Sequence, residues 1–222
     1  MEYTQNATVA RRSTSALATN KVLRNTYILL SMTLLFSAAT ATASAVLGLP
    51  HPGIVITLVA YFGLLFLTTK FRNSNLSLLF VFALTGFLGY TLGPMINAYL
   101  TLPNGGELIA LALGTTGIAF LGLSGYALVS KRDFSFLGNF LMVGILTAFC
   151  LGLAAYFFSM PALSLAVSGM FVMLMCALIL FQTNQIMRGG ETNYVMATVT
   201  LYVALYNLFT SLLHIFGVMG DD

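Results

Sequence analysis

Tryptophan is absent from the 222 residues, cysteine occurs twice, proline five times, and charged side chains make up only 7% of the chain. Two cysteines exclude a disulfide-stapled scaffold. The shortage of charge excludes more. Soluble domains carry about 25% charged residues, and a chain with 7% cannot clothe a water-facing surface. Disorder is excluded from the other side, because 59% of the residues are hydrophobic and mean hydropathy is +0.94. Alternation over about ten residues, the mark of a membrane β-barrel, is missing as well. What the sequence has instead is long unbroken apolar runs, and these predict an all-α polytopic membrane protein.

The charges that do occur divide the chain. They leave charge-free intervals at 25–69, 73–106, 108–130, 134–187 and 192–220. A crossing helix takes about 20 residues, so the first and fourth intervals hold two crossings each. Leu49-Pro50-His51-Pro52-Gly53 breaks the first of these, and Ser159-Met160-Pro161 breaks the fourth. Seven spans follow, at 26–48, 53–69, 76–99, 107–129, 135–158, 163–186 and 194–217. The second is short, and Lys70 beyond it has a stem long enough to reach the interface.

The basic residues fall on alternate loops. Arg11, Arg12, Lys21 and Arg24 precede the first span; Lys70 and Arg72, Lys131 and Arg132, and Arg188 occupy every second connection after it. The positive-inside rule then puts the N-terminus in the cytoplasm and Asp221-Asp222 outside. Cations scattered over membrane-hugging loops make no nucleic-acid surface. Residues 1–25, rich in Ser, Thr, Asn and Ala, read as a mobile cytoplasmic tail, and 26–222 as one seven-helix domain. Ala41-Thr42-Ala43-Ser44-Ala45 resembles a cleavage site, but a polar leader too long for a signal peptide precedes it.

Glycine is frequent in the third span (Gly86, Gly89, Gly93, next to Pro94) and in the fourth (Gly114, Gly117, Gly122, Gly125). Both sets read as helix-packing contacts, since lipid gives helices no hydrophobic reason to associate. The last span carries Thr200, Asn207, Thr210, Ser211 and His214 at spacings that share one face. Such a stripe belongs in the bundle interior, so the last span is expected to be central, its polar face either hydrogen-bonded between helices or lining a hydrophilic path.

No acidic or basic residue lies deep in any span, which removes the usual coupling group of ion-driven transporters. Two distant histidines and no intramembrane carboxylate predict no metal and no cofactor. Gly122-Leu123-Ser124-Gly125 matches the GxSG of intramembrane serine proteases, with His214 on a later span. The two residues lie at opposite depths, about 20 Å apart at 1.5 Å per residue. A nucleophile and its base need contact at about 3 Å, so no enzyme is expected.

Several segments are recognisable in order: Lys21-Val-Leu-Arg-Asn-Thr-Tyr27, Thr85-Gly-Phe-Leu-Gly-Tyr-Thr-Leu-Gly-Pro94, Phe134-Ser-Phe-Leu-Gly138, Gly189-Gly-Glu-Thr-Asn-Tyr194 and Leu201-Tyr-Val-Ala-Leu-Tyr-Asn-Leu-Phe209. Together they resemble the Bax inhibitor-1 family from about Thr19 to the end. The resemblance implies seven helices with the last wrapped by the other six. It also implies one of two functions. A bacterial inner-membrane branch modulates the membrane-anchored AAA protease FtsH and its companions HflK and HflC, as both substrate and inhibitor. Residues 1–25, with Arg11, Arg12, Lys21 and Arg24, suit that role as a handle. Other branches form a pH-sensitive calcium or cation leak gated by paired aspartates. Here the matching positions are Gln182 and Ala204, neither of which titrates, and calcium sites rely on carboxylates.

Overall fold

The computed structural model describes the backbone of residues 2–130 and 132–220, with side chains from residue 19 onward. The described residues form seven helices: α1 (Glu2–Val46), α2 (Ile54–Lys70), α3 (Leu76–Leu100), α4 (Gly105–Val129), α5 (Leu137–Phe157), α6 (Pro161–Met187) and α7 (Tyr194–Met219). From α2 onward each boundary lies within two residues of the expected span. Six helices are long and apolar enough to cross a membrane, the first over Thr19–Val46, while α2 has 17 residues.

At the N-terminus the helical backbone of α1 runs back to Glu2, through the stretch expected as a tail. Residues 2–25 contain neither glycine nor proline, so nothing in them terminates a helix. The side chains of residues 1–18, Arg11 and Arg12 among them, lie outside the described residues. At the other end of α1 the chain reverses through Leu49–Gly53, where Gly53 takes a φ of 86° that a side chain would strain. Pro161 opens α6 at its first turn, where a missing N–H costs nothing.

The last helix is the most enclosed. Thirteen residues of α7 are buried, against three on α5. It packs on α1, α3, α4 and α6; α2 leans mainly on α3, and α5 on α6. The central position expected for the last span is therefore realised with four principal neighbours, where the family resemblance implies six.

The most closely fitted seam joins α1 to α3. A Cβ on Gly89 would run into the Ser37 carbonyl and the Thr40 hydroxyl, one on Gly93 into Ser44, and one on Gly86 would lie 2.7 Å from the Phe36 ring. Pro94 continues α3 but has no N–H to give the Tyr90 carbonyl. Ser44 Oγ of α1 donates to that carbonyl at 2.9 Å. Asn97 Nδ2 donates to the Ala45 carbonyl at 2.8 Å, and Tyr90 Oη to the Pro50 carbonyl at 2.6 Å. Close backbone approach and interhelical hydrogen bonds are what hold helices together in lipid.

Candidate functional site

The entry to α7 is a hub for the basic loops. Asn193 caps the helix, its Oδ1 accepting from Val195 N at 2.9 Å and Met196 N at 3.1 Å. Its Nδ2 donates to the Arg72 carbonyl at 2.9 Å, and its own N–H donates to Glu191 Oε1 at 2.8 Å. The turn into this segment passes through Gly189 at a φ of 73°. On α6, the buried Asn184 donates to the Arg132 carbonyl at 3.1 Å and accepts from Phe134 N at 3.3 Å. Gln185 Nε2 reaches Ser135 Oγ at 3.2 Å. The loops after α2, α4 and α6 are thus tied into one layer. Asp133 lies on its surface, 3.6 Å from Arg188. Its carboxyl is held below the usual range by hydrogen bonds from the Ser135 side chain and backbone, with Arg188 a lesser cause.

One turn above that layer sits Gln182, 6% exposed, with its Nε2 buried and unpartnered. Ala204 on α7 is fully buried. Among the described residues no group of three or more His, Cys, Asp or Glu converges. An amide and a methyl at these positions supply no titratable group, so this pair has no means of switching with pH.

The polar stripe of α7 lies as follows. Thr200 Oγ1 donates to the Met196 carbonyl (3.0 Å), Asn207 Nδ2 to Val203 (2.8 Å) and Thr210 Oγ1 to Asn207 (3.2 Å), all within α7. Ser211 is buried. Among the described residues, His214 is the one of the five with a cross-helix bond, from Nδ1 to Ser168 Oγ on α6 at 2.8 Å. Ser124 and His214 are not brought together, for Ser124 Oγ is buried with no hydrogen-bond partner. Cys150 and Cys176 are free thiols on α5 and α6. Lys21 and Arg24 are exposed on α1.

The hydroxyls that bind α7 to its neighbours are on another face, and sequence reasoning passed them over. Tyr202 Oη shares a 2.6 Å hydrogen bond with Ser37 Oγ of α1 and donates to the Thr85 carbonyl of α3 at 3.2 Å. Tyr206 Oη meets Thr91 Oγ1 of α3 at 2.9 Å. Thr198 Oγ1 donates to the Thr26 carbonyl of α1 at 3.2 Å. The one available signal is the pair of tyrosines four residues apart, whose rings read as apolar although their hydroxyls require partners when buried. Chemically the arrangement joins helices.

A family model described as inhibitor of apoptosis-promoting Bax1 matches residues 19–221. The chain is 53% identical over 209 residues to a protein of Escherichia coli K12 named modulator of FtsH protease YccA, covering 94% of this chain and 95% of that one. The same identity and coverage hold for the inner membrane protein YccA of Escherichia coli O6:H1. An uncharacterized membrane protein of Vibrio cholerae is 46% identical over 207 residues, 93% of each chain.

Proposed function

Because the chain belongs to the Bax inhibitor-1 family, we propose that this multi-pass inner-membrane protein modulates the protease FtsH by direct association. The observation that carries this reading is the 53% identity, spread over 94% of the chain, to a protein named for modulating that protease. In this reading all seven helices cross, with the N-terminus in the cytoplasm and the C-terminus outside. The protein is substrate and inhibitor at once. The protease grips the segment 1–25, where Arg11, Arg12, Lys21 and Arg24 lie, and draws on α1 first. The fit of α1 against Gly86, Gly89 and Gly93 of α3 supports a brake of this kind, because α1 cannot leave without breaking that seam. HflK and HflC enter as companions of the protease on the strength of the family resemblance.

Deleting residues 2–20 tests the handle. The shortened protein is expected to remain in the membrane and to escape degradation in cells that contain FtsH; unchanged turnover overturns this role for the segment. Association is tested separately, by co-purification of the full chain with FtsH, HflK and HflC from solubilised membranes. A pH-dependent calcium flux in proteoliposomes, lost on replacing Asn207 or His214, would instead favour a leak. Gln182 and Ala204 speak against that outcome, since neither titrates.

A further inference from the structure

A hollow of about 420 Å³ lies between α1 and α4, floored by α7, and the protease reading makes no use of it. Leu34 and Ala38 of α1 form one wall, Leu113 and Gly117 of α4 the other, and Tyr202 and Tyr206 the floor. Leu34 and Leu113 on its rim are 37% and 56% exposed. Every wall belongs to a membrane-spanning helix, so the mouth opens on hydrocarbon.

The chemistry of the walls narrows what enters. None of the lining residues is charged. The five that are polar already have partners. Tyr202 pairs with Ser37 and Tyr206 with Thr91, while Thr42 and Thr116 bond to the Ala38 and Ala112 carbonyls at 2.8 and 2.7 Å. The surface therefore holds out no free donor to a polar ligand, and an apolar hollow of this kind does not draw in water.

Dimensions narrow it further. The lining runs along α1 from Leu34 to Thr42 and along α4 from Ile109 to Phe120, roughly 12 and 16 Å at 1.5 Å per residue. Spread over that length, 420 Å³ gives a mean cross-section of roughly 30 Å². A single polymethylene chain fits a groove of that width. A stable interface with a second copy of the protein buries about 1,200 Å² or more, which the wall of so short a groove does not by itself provide.

We propose that this groove binds one acyl chain of a bilayer lipid, which seals the α1–α4 side of the bundle. With no charge on its walls the site selects the chain and is indifferent to the headgroup. The proposal stands on the groove alone and is independent of the protease reading.

Gly117 provides the test, because it lines the groove and a Cβ there meets nothing within 4 Å, which leaves room to begin a longer side chain. Full-length protein is purified in mild detergent, stripped, and offered phosphatidylethanolamine or phosphatidylglycerol with identical acyl chains. Native mass spectrometry is expected to show one firmly retained lipid per chain, equally for both headgroups. Gly117→Leu should lose it, and Gly125→Leu, an equal change at an open site outside the groove, should keep it. Lipid should raise the Tm of the native protein and of Gly125→Leu but not of Gly117→Leu. Should Gly117→Leu fail to fold, Ala38→Leu from the opposite wall must produce the same loss. Undiminished retention in the filled variants, a strong headgroup preference, no retained lipid at all, or a dimer that the filled variants abolish would each overturn the proposal.

Discussion

Neighbours in sequence, α3 and α4 both carry glycine along their middles and use it there in opposite ways. On α3, Gly86, Gly89 and Gly93 face α1 so closely that no side chain fits at Gly89 or Gly93. On α4, Gly114, Gly117, Gly122 and Gly125 have nothing within 4 Å of where a Cβ would stand. The first set draws two backbones together and lets hydroxyls reach across. The second leaves a helix with thin flanks, one of which becomes the wall of the acyl groove. Expecting both sets to be packing contacts is right for α3 and wrong for α4, because glycine permits close approach without requiring it.

The largest effect is expected from Gly89→Leu. The side chain would drive into backbone and hydroxyl atoms of α1, and overpacking of this sort costs about 3 kcal/mol or more, a fall in Tm of roughly 10 °C for a chain of this size. A Tm near that of the native protein would mean that the seam has slack. Next comes Tyr202→Phe, which removes the hydroxyl joining α7 to Ser37 and Thr85 and leaves Ser37 buried without that partner. Its expected cost is about 1–3 kcal/mol, read by thermal unfolding in detergent. Smallest, and opposite in sign, is Gly122→Ala on the exposed flank of α4. Trading glycine for alanine in an open helical position should gain about 0.5–1 kcal/mol, a small rise in Tm. If it destabilises instead, that flank has a neighbour.

Much of the architecture was legible because charge and proline are scarce and therefore decisive. Lys70 and Arg72, Lys131 to Asp133, and Arg188 mark the ends of α2, α4 and α6, and Pro161 marks the start of α6, so the boundaries from α2 onward follow within two residues. The direction each helix faces was much less legible. In lipid a helix is apolar all round, so periodicity says little about which side meets protein. The stripe from Thr200 to His214 is real as a pattern, yet Thr200, Asn207 and Thr210 bond back to their own helix. Tyr202 and Tyr206 carry the cross-helix bonds with groups that hydropathy counts as greasy. The start of α1 was obscured for another reason: residues 2–25 are polar, which signals water, but polarity alone does not forbid a helix.

The brevity of α2 has a consequence for the surroundings. If α2 crosses, as the proposed function has it, its 17 residues rise only about 26 Å, short of a hydrocarbon layer about 30 Å thick. Lys70 at its end lies over the rings of Phe66 and Phe71, 5.9 Å from each centroid. A crossing that short is met by thinning of the bilayer beside it or by the stem of Lys70 reaching out to the interface. Where the bilayer thins, companions whose own crossings run short would find a shallow place already made for them, and thicker patches of bilayer would turn this protein away.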